Sequence, residues 1–336
     1  MKIGRKRTLT YGLMFIGLLL LLSGIILSIS IGAKEIDFSM IINAIFTNDA
    51  DINTNIIRDV RIPRALAAAL VGGFLAVAGA IMQGITRNPI AEPSVMGITQ
   101  GATFMIAVAF VLQRIYPNLV INSFALMIFA FLGASISGLL VYFISSRASR
   151  KVDPVKLALA GTALGTLLIS LAMGISMYFN LSQQLSFWVS GGLVSAKWEG
   201  VILLSLIGIA FIGAMIMSPR ITILSLGEEV AIGLGEKTNL VRFISIMIVI
   251  CLTGASVSVA GNIVFVGLII PQICKGIVGS DYRYIIPSSM ILGAVLLVYS
   301  DILARIINPP YETPIGSLTA LLGVPVFIYL VRKGGK

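Results

Sequence analysis

Ten apolar runs follow one another along this chain, separated mostly by short polar gaps. They fall near residues 9–31, 65–83, 95–112, 120–144, 157–179, 200–217, 241–260, 263–279, 285–305 and 315–331. Crossing a hydrocarbon core of roughly 30 Å takes about 20 mostly apolar residues, and backbone in lipid must satisfy its own hydrogen bonds, so runs of this length read as helices. The expected fold is all-α: a polytopic membrane protein of about ten transmembrane helices, with residues 1–336 forming a single transmembrane domain. Only 11% of the 336 residues are charged, against about 25% in an ordinary soluble domain, and the gaps leave no room for a large aqueous domain.

The first run follows MKIGRKR. Its length, with no A-x-A site after it, favours a retained span over a cleaved signal peptide. Threading ten spans from a cytoplasmic N-terminus leaves Lys34, Arg58, Arg61, Arg64, Arg114, Lys197 and Arg305 outside. The remaining 17 of the 24 Lys and Arg residues lie inside. That bias is the positive-inside pattern of a multi-pass cell-membrane protein of bacterial type with both termini cytoplasmic. It accounts for most of the net charge of +10 without nucleic acid, whose partners gather charge on one soluble face or helix.

Several chemistries are disfavoured. The chain has no histidine, and its two cysteines, Cys251 and Cys274, stand far apart in apolar surroundings, which argues against a zinc site, a Cys-His nucleophile or a disulfide scaffold. No metal site is expected. Asp301 and Arg305 are four residues apart near the outer end of their span and can pair on one helix face. A proton-driven carrier usually places an ionisable residue at the midplane, and none is evident. An ion- or proton-coupled secondary transporter stays the alternative from another class, and an intramembrane enzyme lacks a convincing catalytic pair.

Thirty-four glycines point to close helix packing or broken helices. AVAG at 76–79 and SVAG at 258–261, each followed ten residues later by a proline (Pro89, Pro271), suggest an inverted repeat. Two outer segments exceed simple turns: residues 32–64, with the amphipathic FSMIINAIF and an arginine cluster, and residues 180–199, whose Trp188 and Trp198 suit interfacial anchors. The inner loop 218–240 reads SPRITILSLGEEVAIGLGEKTNL. A solvated connection has no need of Leu224, Leu226, Val230, Ala231 and Leu234, so a short helix here with an exposed apolar face is expected to dock another protein.

Five blocks carry a resemblance: RIPRALAAALVGGFLAVAGAIMQGITRNPIAEPSVMG at 61–97, WVSGG at 188–192, LSLGEEVAIGLG at 224–235, IVFVGLIIPQICKGIVGSDYR at 263–283 and ETPIGSLTALLGVPVF at 312–327. In this order they resemble the membrane-spanning permease of the iron-chelate and cobalamin class of ABC importers. The C-terminal NPPYETPIGSLTALLGVPVFIYL looks most like ferrichrome-type hydroxamate permeases, with catecholate chelates, haem and cobalamin as other cargoes of the class.

The resemblance implies a set of partners: a cytosolic ABC ATPase dimer, a second permease chain, identical or paralogous, and an extracytoplasmic substrate-binding protein, all around a pore in membrane lipid. It implies an ATPase-coupling helix at Leu224, Leu226, Gly227, Glu228, Glu229, Ala231, Leu234 and Gly235. It also implies binding-protein docking at Arg61, Arg64 and Arg305, a cytoplasmic gate at Asn88, Ile90, Pro154 and Val155, and path lining by Met173, Gly174 and Met177. No cofactor is expected in this chain. It lacks G-x-x-x-x-G-K-[ST], so ATP and Mg belong to the partner ATPase and the chain itself is not expected to be an enzyme. Gln272, Lys275 and Tyr282 depart from the histidine, arginine and histidine common in the family, at positions that bear on inner docking or gating.

Overall fold

A computed structural model describes residues 2–32, 40, 44, 51–146, 154–309 and 311–334. The amphipathic stretch at 38–46 falls almost entirely outside the described residues, as do Lys34, Arg147, Arg150 and Lys151. Among the described residues the regular structure is helical. In chain order the helices are α1 Lys2–Ser30, α2 Ile52–Ile56, α3 Ile62–Thr86, α4 Ile98–Ile115, α5 Ser123–Ser146, α6 Pro154–Tyr178 and α7 Ser182–Val189. They continue as α8 Trp198–Ile207, α9 Ile209–Ser225, α10 Glu228–Gly233, α11 Thr238–Ala260, α12 Val266–Val278, α13 Tyr282–Ile306 and α14 Ile315–Gly334.

Among the described residues, eight helical stretches are long and apolar enough to cross a membrane. The run expected over 263–279 folds as the shorter helix α12, Val266–Val278, and that expected over 315–331 lies within α14, Ile315–Gly334. Two boundaries differ from expectation. The span at 65–83 has a helical lead: α2 and a π-helical turn, Ile57–Arg61, run straight into α3, so part of the expected outer segment belongs to the helix. The inner loop expected from residue 218 begins only after Ser225, because α9 continues through Pro219. One proline removes a single ladder bond, which a membrane helix tolerates when neighbours cover the freed group.

Burial separates central from peripheral helices. In α3 and its lead 89% of the most apolar window is buried, against 22% in α1 and 17% in α6. Small residues let α3 occupy the centre: Gly72 and Gly293 face each other where α3 crosses α13, and a methyl group on Gly72 would lie 2.2 Å from the Gly293 carbonyl oxygen. Gly101 and Gly133 make the same approach between α4 and α5. The glycine content thus serves helix crossings that a Cβ would forbid. The AVAG and SVAG segments occupy different settings, since Gly79 sits in mid-helix against Gly267 whereas Gly261 ends α11 with φ +67°.

Candidate coupling, gating and docking sites

At the end expected to be outer, the chain assembles a buried ionic network. Asp301, fully buried, receives Arg64 Nη2 at 2.8 Å and Nε at 3.0 Å, and Arg305 Nη2 at 3.1 Å. The Asp301–Arg305 pairing anticipated from their spacing is thus present. Arg64 also makes a two-pronged contact with Glu312, both bonds at 2.7 Å, the planar geometry that suits guanidinium and carboxylate. Arg61 Nη1 donates to the carbonyls of Ile29 and Ser30, and Arg305 Nη1 to those of Ser28 and Ile31. These are terminal carbonyls of α1 that lack in-helix donors, and the negative end of its dipole favours cations. The three arginines expected to dock a partner are therefore buried and engaged within the chain. Glu312, with 31% of its side chain exposed, is the open edge of the network.

Burial pushes the Glu312 carboxyl up, but the hydrogen bonds and charge of Arg64 outweigh it and hold the group below the usual carboxylate range. A depressed folded-state pKa means the stabilisation is present above the unfolded value and lost as pH falls through the folded one. Melting in detergent should drop on acidification below about pH 4, and Glu312→Gln should remove part of that drop.

Beside Glu312 lies a cavity of about 390 Å³, walled by Phe187, Trp188, Gly191, Gly261 and Pro314. Two of the sequence blocks, 188–192 and 312–327, meet here beside the SVAG segment at 258–261. Gly192 N–H donates to Ala260 O at 2.9 Å, while methyl groups on Gly191 and Gly316 would lie 2.6 and 2.8 Å from Asn262 O. Trp198 Nε1 donates to Arg58 O.

Between α11 and α12 the chain breaks at Gly261 and Phe265, with φ of +67° and +69°. Glu92, from the turn after α3, accepts the Phe265 N–H at 2.9 Å and caps α12 from another part of the chain. Within α12, Pro271 has no N–H to offer Gly267 O. Gln83 of α3 supplies a donor, its Nε2 lying 3.3 Å from Gly267 O and 3.0 Å from Leu268 O. Gln272 Nε2 then donates to Gln83 Oε1 and to Pro89 O. The departure at Gln272 thus has a structural role: its amide joins α12 to α3 and to the turn at Asn88–Ile90. Gln83→Leu should destabilise the fold by about 1–3 kcal/mol, the cost of a buried carbonyl left without its donor, measurable as a fall in melting temperature at unchanged pH.

At the other end, Asn88 Oδ1 accepts Ile90 N–H at 3.1 Å, forming the turn after α3. Ile90 is half exposed and Val155 more so, at the start of α6. Pro154 opens α6 beside Ile85, Thr86 and Arg242 around a small cavity. Lys275 is exposed on α12, whereas Tyr282 is buried against Gly84. On α6, Met173 and Met177 are 53% and 70% exposed, and a methyl group on Gly174 would meet nothing within 4 Å. None of the three is consumed by packing within the chain.

The loop helix α10 is held between Gly227 and Gly235, whose φ of +138° and +82° suit glycine. Leu226, Val230, Ile232 and Leu234 are 48–64% exposed. Leu224 and Ala231, expected on that face, are instead buried at 1% and 0%, because Leu224 belongs to the last turn of α9 and Ala231 faces the bundle. Glu228 points inward as well, pairing with Arg242 at 3.0 Å. No group of three or more His, Cys, Asp or Glu suited to a metal ion occurs among the described residues.

Sequence reasoning missed Glu312, Glu92, Gln83 and Arg242. The signal available was the presence of polar side chains inside or beside apolar runs, where each needs a partner.

The model of the FecCD transport family matches residues 19–333. The iron(3+)-hydroxamate import system permease protein FhuB of Bacillus subtilis is 46% identical, the alignment covering 96% of this chain and 84% of that protein. The Fe(3+)-citrate import system permease protein YfmD of the same organism is 39% identical over 98% and 97%. A solved structure described as an inward-facing conformation of a metal-chelate type ABC transporter superposes with a TM-score of 0.81 at 28% identity, covering 95% of this chain and 98% of that one. A membrane-embedded helical bundle with these blocks in this order, matched by the family over nearly its whole length, makes this chain a member of the FecCD transport family.

Proposed function

We propose that this chain is the membrane-spanning subunit of a binding-protein-dependent ABC importer that takes up ferric siderophores, of the hydroxamate type. The observation that carries the reading is the outward apolar face of α10, formed by Leu226, Val230, Ile232 and Leu234 on a helix hinged by two glycines. Its proposed occupant is a cytosolic ATPase, which hydrolyses the ATP that this chain has no motif to bind. The cargo reading is supported by 46% identity to a permease named for iron(3+)-hydroxamate import.

In the assembly ten crossings, counting α12 and α14, keep both termini inside. Two permease chains, identical or paralogous, face each other along α6, with Met173, Gly174 and Met177 toward the path and Asn88, Ile90, Pro154 and Val155 at the inner gate. ATP-driven closure of the ATPase pair moves α10 and switches access. Outside, a binding protein presents carboxylates to the network of Arg61, Arg64 and Arg305, entering by exchange with Glu312, its part-exposed partner.

Gentle extraction of the tagged protein from its native membrane should bring down a Walker-motif ATPase and a permease partner. Leu226→Arg/Leu234→Arg should lose the ATPase at least tenfold while the chain keeps its melting temperature, since both side chains are exposed. Wild-type protein recovered alone, under conditions that hold a reference ABC importer together, would refute the proposal.

A further inference from the structure

The loop helix α10 is joined to the bundle covalently through Gly227 and Gly235, both at positive φ. Glycine linkers of this kind are conformationally soft and transmit little force. A stiffer tie is the ion pair between Glu228 of α10 and Arg242 of α11, at 3.0 Å. Arg242 is almost inaccessible, with 3% of its side chain exposed, so neither a partner protein nor solvent is its counterpart. Losing its carboxylate would strand a buried charge, which keeps the pair together when α10 moves.

The surroundings of Arg242 give the pair a direction. Arg242 lines a small cavity with Ile85 and Thr86 at the end of α3, Pro154 and Leu157 at the start of α6, and Ile246 on its own helix. Its Nε–H is buried with no acceptor among the described residues. The guanidinium donates through Nη2 to Glu228 Oε2 of α10. The side chain thus pairs with α10 on one side and, on the other, lines the small cavity at the ends of α3 and α6.

We infer that the Glu228–Arg242 ion pair is the strap that carries displacement of α10 to the inner gate, with Arg242 a positioning residue acting through Pro154 and Thr86. The inference rests on the proposed ABC importer reading. In it α10 receives movement from the ATPase through its exposed apolar face and hands it on through its buried acidic one.

The test uses the full complex of this chain with its ATPases and binding protein in proteoliposomes, reading uptake of a radio-iron-labelled ferric trihydroxamate per ATP hydrolysed. Arg242→Met should retain the ATPase and its hydrolysis while uptake per ATP falls at least tenfold. Glu228→Ala/Arg242→Met leaves no unpaired buried charge, so its melting temperature should recover toward wild type, but its coupling should stay low. The exchange Glu228→Arg/Arg242→Glu should regain much of the coupling.

A double variant that imports at the wild-type ratio would overturn the inference, since the pair would then serve folding alone. Loss of the ATPase from that variant would also overturn it, because a strap carries motion and not affinity. Wild-type complexes with no ATP-dependent uptake would instead sink the importer reading, so the two failures are distinguishable.

Discussion

Asp301→Ala is expected to be among the most damaging single substitutions in this chain, costing about 3–5 kcal/mol and most of the folded protein recovered from the membrane. Asp301 is fully buried and neutralises two guanidinium groups at once, those of Arg64 and Arg305. Truncating it leaves Arg64 with Glu312, and Arg305 with the backbone carbonyl of residue 301 and the carbonyls and hydroxyl near the end of α1. The damage should spread from α13 to α1, because Arg305 loses the carboxylate that orients it toward those carbonyls. Asp301→Asn keeps the volume and one acceptor, so a smaller loss is expected. Size-exclusion profiles and thermal unfolding in detergent read both effects. A folded Asp301→Ala variant melting within a degree or two of wild type would show that the network is not a stabilising element.

Gly79→Ala is expected to separate α3 from α12. A methyl group on Gly79 would lie 1.8 Å from Gly267 O, 2.4 Å from its carbonyl carbon and 2.5 Å from its Cα. All three are backbone atoms, so no rotamer change relieves the clash, and the helices must move apart by more than an ångström. Overpacking of a tight core commonly costs about 1–3 kcal/mol. Here the shift would also pull Gln83 away from the carbonyls of Gly267 and Leu268, so the loss should reach or pass the upper end of that range. Gly276→Ala, on the facing helix α12, is the matched control, since nothing lies within 4 Å of a methyl group there. It should fold normally, and equal melting temperatures for the two variants would contradict the close crossing.

What could be read from the sequence follows the range of the interactions. The Asp301–Arg305 pairing was legible because a spacing of four places both on one helix face. That Arg64 and Glu312, distant in sequence, complete the network depends on how α3, α13 and the segment before α14 meet, and no local pattern encodes that. The loop helix α10 was visible as apolar residues in an inner connection. Its inward residues were misplaced because α9 continues past Pro219 and carries Leu224 into the core, while Ala231, the smallest apolar residue there, is the one that fits against the bundle.

The role of Gln83 was legible in principle. A proline inside an apolar helix frees a carbonyl, and a lone amide in another apolar run is a natural donor. Which amide meets which carbonyl is a matter of packing. The span count shows the same limit from the other side: α12 is only 13 residues long, because Gly261 and Phe265 break the chain inside a stretch that hydropathy alone reads as nearly continuous.

The central claim is that this chain moves a ferric chelate by coupling to ATP hydrolysis on separate subunits. The direct measurement is uptake of a radio-iron-labelled ferric trihydroxamate into proteoliposomes holding the purified complex and its binding protein, with ATP and an imposed proton or ion gradient supplied separately. The account predicts uptake that requires ATP, persists when the gradient is collapsed and is lost with Leu226→Arg/Leu234→Arg. Uptake driven by the gradient without ATP, and unchanged in that variant, would contradict it and establish a secondary transporter.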